Sequence, residues 1–284
     1  MYVKENCLNL LYSRKQSVIL QSNIHNMERL QHIYDIIDQE GFSNLAIQAI
    51  NNYVNDILDG TEDFPRFNLS EHAGLCTSGA PLIGASIIAC YATASLTASR
   101  NAEGGPGSSP ANWEIDERQE QLIEQWAKVV DLWVEDSERI LTDTFGSKIA
   151  QGAEAKVYYH EGDTSVVKER ASIYSTTQKA LDAIVLHNYL FPETAMKVIG
   201  FTRDSDGLLR IILTQPYVIC LRLATKDEID EMVAAKGFRD NWNGQGVNYI
   251  SDRLALEDMH PANVFIDEIT SSPICIDCIV KFVK

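Results

Sequence analysis

The sequence predicts an α+β protein: an N-terminal helical region, then a compact domain with a small antiparallel sheet, one helix and a closing hairpin. Three observations support this. Apolar residues repeat at threes and fours through the first hundred positions. A Gly/Pro/Ser-rich stretch, Glu103–Pro110, interrupts the chain. After Gly146 the apolar period shortens to that of strands. The expected organisation is helical region 1–100, linker 101–112 and sheet domain 113–284.

The helical reading covers 7–58. Leu30, Ile33, Tyr34 and Ile37 form one stripe, and Leu45, Ile50, Tyr53, Val54 and Ile57 another. Gly41 divides them. Residues 60–68, with Pro65, read as a loop. Residues 73–99 carry no charge but are dominated by Gly, Ala, Ser and Thr, so a buried small-residue helix is expected rather than a membrane span. A further helix starts near Glu114, with an apolar stripe of Leu122, Ile123, Trp126, Val129, Val130 and Trp133. No internal repeat is present.

From Ile149 the expected order is three strands, a helix over 176–190, and a hairpin of 195–201 and 208–213 around Asp204-Ser205-Asp206-Gly207. An acidic helix over 226–236 follows, then strands 264–267 and 274–280.

Composition narrows function. The net charge is −16, with 40 acidic against 24 basic side chains. The first 148 residues hold 21 of the acids and 10 of the bases. Such a surface argues against general nucleic-acid binding and against docking on anionic lipid. The six cysteines, Cys7, Cys76, Cys90, Cys220, Cys275 and Cys278, show no regular framework, which predicts a reduced, cytoplasmic chain. Cys275 and Cys278 form a lone C-x-x-C that reads as core hydrophobes in a strand. Near Lys4 and Glu5 there is no apolar run of the signal-peptide kind.

The chemistry-bearing residues lie in the sheet domain. Asp258-Met259-His260-Pro261-Ala262-Asn263 places an amide five residues after a carboxylate, and Asp277 follows fourteen later. Phosphoryl transfer from ATP needs a carboxylate to orient the hydroxyl nucleophile, and an amide and second carboxylate to hold Mg2+. Asp258 fits the first role, and Asn263 and Asp277 the second. His260 is placed to support that loop or to contact phosphate. Upstream, the small-residue turn at Gly152 between two strands can present backbone N–H groups to phosphate. Glu154 there is either a solvated charge or a lid residue. Lys168, sixteen residues after Gly152 at the end of an apolar strand, needs an anionic partner.

This order resembles the protein-kinase-like fold, and D-x-H-P-x-N is shared with aminoglycoside and choline-type phosphotransferases. Over roughly 113–284 the sequence is closest to the serine/threonine/tyrosine kinase domain of bacterial polyvalent proteins from mobile elements. Leu186–Ala195, Val198-Ile199-Gly200-Phe201, Gln215-Pro216-Tyr217 and Ile276–Phe282 carry that likeness. The resemblance implies ATP and Mg2+ as cofactors, a hydroxyl acceptor on a protein or small molecule, and Gln215 and Tyr217 at the adenine hinge. It also implies a helix carboxylate to pair Lys168. There is no Glu between Ala171 and Phe191, so Asp182 is the expected substitute, with His187 or Asn188 behind it.

The single glycine at the turn, the absence of D-F-G, and only seven residues after Asp277 depart from typical kinases. Two expectations follow: either the N-terminal helices pack on the catalytic hairpin in place of a second lobe, or the chain is a non-catalytic nucleotide-binding adaptor. The helices could mediate partner contact in either case.

Overall fold

The computed structural model describes residues 27–62, 78–104, 109–152, 154–171, 174–242 and 246–283. The expected helix over 7–26, most of the 60–68 loop, the centre of the linker at 105–108, and Cys7 and Cys76 lie outside them. The chain divides into two compact units, Met1–His72 and Ala73–Lys284.

In the first unit, α1 (residues 27–40) and α2 (Asn44–Leu58) flank Gly41. Gly41 takes φ +65°, a conformation a side chain would strain. The Ser43 hydroxyl accepts from the Ala46 N–H and caps α2. Ile33, Ile36 and Ile37 are buried, as are Ala46, Ile50, Tyr53, Val54 and Ile57. Arg29 lies over the Tyr53 ring and pairs with Asp56 at 2.6 Å and Glu62 at 2.7 Å.

The second unit begins with α3 (Ala80–Gly104) and α4 (Asn112–Val129). By length and composition α3 could cross a membrane. Here it buries Leu82, Ile83, Ile87, Ile88 and Tyr91, and it packs against α4, α6 (Thr177–Leu190) and strand β4 (Lys197–Arg203). Helix 80–104 therefore packs within the unit that holds the sheet. The unit boundary falls well before the Gly/Pro/Ser stretch.

The aromatic stripe of α4 is shorter than expected. Asp131 takes φ +57° and turns the chain out of the helix, leaving Val129 half exposed. Trp133 then lies in an extended segment bridged to Phe201 of β4. A short helix, α5 (Ser137–Phe145), had not been anticipated.

The main sheet has the order β1-β2-β3-β5-β4, antiparallel throughout. Its strands are β1 (Ser147–Gln151), β2 (Ala155–Tyr159), β3 (Ser165–Ala171), β4 and β5 (Leu209–Pro216). Helix α6 connects β3 to β4, and the Asp204 turn joins β4 to β5, both as the sequence pattern indicated. Tyr158, Val167 and Ile212 pack with Leu141 of α5 on one side of the sheet.

The rest of the unit is built from short strands: β6 (Cys220–Leu223), β7 (Arg239–Asp240), β8 (Val247–Ile250), β9 (Leu254–Glu257), β10 (Val264–Asp267), β11 (Pro273–Cys275) and β12 (Ile279–Phe282). Helix α7 (Lys226–Ala235) sits among them. They form two small sheets, β11-β10-β6 and β12-β9-β8-β7. Leu186 and Phe191 at the end of α6 join Ile229, Val233, Leu256, Met259, Val264 and Val280 in their shared core.

The expected single strand over 274–280 is in fact two. β11 pairs with β10, whereas β12 pairs with β9 in the other sheet. A chain serving two sheets must turn between them, so Ile276-Asp277-Cys278 is a connector and Asp277 is not on a strand.

Candidate functional site

Strand β3 sets up the site by alternation. Side chains of successive strand residues point to opposite faces. Glu169 turns toward α5, where it accepts from Ser137 Oγ at 3.0 Å and pairs with Lys156 at 3.1 Å. Lys168 and Arg170 flank it in sequence and face the other way. Both are buried, and both reach the same carboxylate. Lys168 Nζ lies 3.9 Å from Asp277 Oδ2, and Arg170 Nη1 lies 3.5 Å from Asp277 Oδ1. Burial pushes the Lys168 ammonium below its ordinary value, with Asp277 partly restoring it. Burial opposes charge on Asp277 too, but Arg170, Lys168 and His187 outweigh it and hold the carboxyl below the usual range.

Register brings the other groups to this point. Ile279 of β12 pairs with Glu257 of β9, so Asp258 leaves one strand where Asp277 approaches the other. Val264 of β10 pairs with Cys275 of β11, and the Ile276 N–H donates to the Asn263 carbonyl at 2.9 Å. The loop carrying Asp258, His260 and Asn263 therefore sits beside the connector carrying Asp277.

Within that loop Asp258 takes φ +58°. Asn263 Nδ2 donates to the Asp258 carbonyl and to its Oδ2, each at 2.9 Å. The Ala262 N–H donates to His260 Nδ1 at 3.3 Å, which puts the proton of a neutral ring on Nε2, 3.1 Å from Asp258 Oδ1. Both Asp258 oxygens are thus oriented. Asn263 Oδ1 receives no hydrogen bond among the described residues, which leaves an amide oxygen of the kind a hard cation takes.

The β1–β2 turn carries the expected lid residues. Gly152 is exposed, its N–H bonds the Ala155 carbonyl at 2.9 Å, and no atom lies within 4 Å of where a Cβ would stand. Glu154 beside it is partly exposed and lies 3.9 Å from Arg170. Burial raises its carboxyl; Arg170 lowers it, and Asp277 and Asp258 raise it further. Asp277 therefore faces both Lys168 and Arg170, and Glu154 faces Arg170 alone.

Other predicted residues have different places. Asp182 accepts from Gln178 Nε2 at 2.9 Å, and the carboxylate at Lys168 is Asp277 instead. Asn188 Nδ2 donates to the Met196 carbonyl at 2.8 Å, locking α6 to the start of β4. Gln215 is buried, and its amide is spent on the carbonyls of Thr194 and Ile276, both at 2.9 Å. It braces the Asp277 connector. Tyr217 is partly exposed and stacks on Tyr159 with ring centroids 4.5 Å apart. His187 is fully buried, which pushes its pKa down to about 4, with Asp277 opposing the shift. Arg170 was missed in the sequence; its signal is the two-residue spacing from Lys168.

Fold and site together define a mixed helix and antiparallel-sheet protein in which two buried cations face a carboxylate-rich loop cluster. The family model Kinase-PolyVal, "Serine/Threonine/Tyrosine Kinase found in polyvalent proteins", matches residues 116–284, and the chain belongs to this family. No curated protein matches it.

Proposed function

We propose that the chain is an ATP- and Mg2+-dependent phosphotransferase that moves the γ-phosphate to a hydroxyl. A protein Ser, Thr or Tyr acceptor follows from the family. The observation that carries the reading is the Lys168–Arg170 pair facing Asp277, with Asp258 and Asn263 presented at the same end of the β9–β12 ladder.

Each residue then has a definable task. Lys168 and Arg170 bind phosphate oxygens, and the open space over Gly152 leaves backbone room for them. Asp258, oriented by His260 and Asn263, accepts the acceptor's hydroxyl proton as the new O–P bond forms and the bond to ADP breaks. Asn263 Oδ1 and Asp277 would hold Mg2+, which neutralises charge on the phosphates when bound. Gln215 and the His260 cap keep the two loops in place and do not touch substrate.

Thermal shift with ATP, with and without Mg2+, tests the binding step. Transfer of labelled γ-phosphate, to the chain itself or to a peptide or small-molecule panel, tests the chemistry. Asp258→Asn should keep the Mg2+-dependent shift and lose transfer by about 100-fold or more. An unchanged melting temperature with Mg2+ and ATP overturns the proposal. A shift with no transfer to any acceptor would identify a nucleotide-binding adaptor.

A further inference from the structure

We propose that His187, Cys275 and Cys278 form a zinc site at the junction of α6 with the Asp277 connector. The C-x-x-C alone is too few ligands for zinc. The fold adds a third from 88 residues earlier in the chain. His187, Cys275 and Cys278 are all buried, and their donor atoms lie within 4.8 Å of one another.

Two details make this more than proximity. First, the imidazole presents the correct nitrogen. Thr194 Oγ1 lies 2.6 Å from the Cys275 carbonyl, which can only accept, so the hydroxyl proton is committed there. The hydroxyl then accepts from His187 Nε2–H at 3.3 Å. Nδ1 is left as a bare lone pair, directed at Cys278 Sγ 3.6 Å away. Fixing the second ring nitrogen in this way is how metal-binding histidines are oriented. Second, the His187–Cys278 edge already has the right length. Zinc about 2.3 Å from sulfur and about 2.0–2.1 Å from nitrogen, at the tetrahedral angle, sets the S–N edge at about 3.6 Å.

Charge also fits. Two thiolates and Zn2+ sum to zero, which suits a buried site that already lies near the Lys168 and Arg170 cations. Binding replaces two S–H bonds with two S–Zn bonds and releases two protons, with no redox change. The Cys275 thiol gives up its contact with the Asp277 carbonyl, now 3.4 Å. Three protein donors leave one position for a non-protein ligand, as in other three-ligand zinc sites. The metal would tie α6 to both sides of Asp277 and so fix that carboxylate in place. The site stands on this geometry alone and does not depend on phosphotransfer.

The test uses the full chain, refolded with zinc or with a chelator because the donors are buried. The expected result is one equivalent of tightly held zinc, a higher melting temperature than the chelated protein, and proton release on loading. Cobalt substitution reads the ligands directly: a tetrahedral visible band with thiolate charge transfer is expected. Cys278→Ser should lose the metal, and Cys220→Ser should keep it. Absence of metal from the refolded wild-type chain would overturn the proposal. So would zinc retained in Cys278→Ser, a cobalt spectrum without thiolate bands, or a Cys275–Cys278 disulfide in the zinc-loaded protein.

Discussion

Asp116→Ala should loosen α6, the helix between Lys168 and the rest of the site. The first N–H groups of a helix have no partner within it. In α6 they are satisfied from α4. Asp116 Oδ1 accepts from the Thr177 N–H at 2.5 Å and from its hydroxyl at 2.8 Å, and Gln119 Oε1 accepts from the Gln178 N–H at 2.9 Å. Gln119 also donates to Thr93 of α3 at 2.9 Å, so three helices meet through one buried amide. Losing an N-terminal cap costs about 0.5–2 kcal/mol. Losing a negative charge from a helix N-terminus costs about 0.3–1 kcal/mol more. The expected loss is therefore about 2 kcal/mol, or about 4–8 °C in melting temperature for a unit of this size. Urea unfolding with an unchanged m-value is the assay. Asp116→Asn keeps the acceptor and should lose about half as much. Glu117→Ala, an exposed neighbour of the same charge, is the control. If Asp116→Ala unfolds at the same urea concentration as Glu117→Ala, the cap does not hold α6.

Two glycines give opposite expectations. A Cβ on Gly84 would stand 2.6 Å from Trp126 Cζ2 in the packed α3–α4 interface, so Gly84→Ala should cost about 1–2 kcal/mol by overpacking, less its gain in helix propensity. Gly152→Val meets no atom within 4 Å; it should leave stability within about 0.5 kcal/mol but weaken the ATP-induced thermal shift. Asp204 holds the β4–β5 turn: its Oδ1 accepts from the Asp206 and Leu208 N–H groups at 2.9 and 3.0 Å, and its Oδ2 pairs with Arg210. Burial opposes its charge, but these partners outweigh it and lower its folded pKa below 3.8. Its contribution is thus complete above the unfolded value and fades as pH falls through the lower folded one. Asp204→Ala should cost about 2 kcal/mol at neutral pH and flatten the acid limb of stability against pH; an acid limb as steep as wild type would show that other groups govern it.

The sequence made the chemistry legible wherever local spacing dictates it. Lys168 ends an apolar run, and the five-residue interval from Asp258 to Asn263 is a loop between strands. What stayed hidden depends on long-range register. Asp182 was chosen as the partner of Lys168 because it lies on the next helix, but helical phase sets it one turn after Gln178, to which it bonds. The true partner, Asp277, arrives only because β12 pairs with β9. The break at Ile276–Cys278 is similarly invisible, since an apolar run reads as one strand whether it serves one sheet or two. The four-residue strands β6, β8 and β9 are too short to show a period. The Gly/Pro/Ser stretch marks a boundary in composition, whereas the packing of α3 on α4 and α6 decides which unit that helix joins.

The site's charge balance gives the arrangement its direction. Two cations buried side by side repel each other and need shared anions. Asp277 is within 4 Å of both, whereas the Glu154 contact reaches only Arg170 from a side chain 41% exposed. Asp277 is also the carboxylate assigned to Mg2+ under the proposed function. Under that proposal, a cation held by Asp277 would weaken its hold on Lys168 and Arg170 and leave their charge to phosphate. The proposed function then predicts that metal and nucleotide favour each other's binding, a coupling that is reciprocal by linkage. A helix carboxylate paired with Lys168 would have weakened that coupling by giving it a permanent partner; Asp182 of α6 bonds Gln178 instead. The lack of Glu there, a defect when judged by sequence pattern, places the whole task on Asp277.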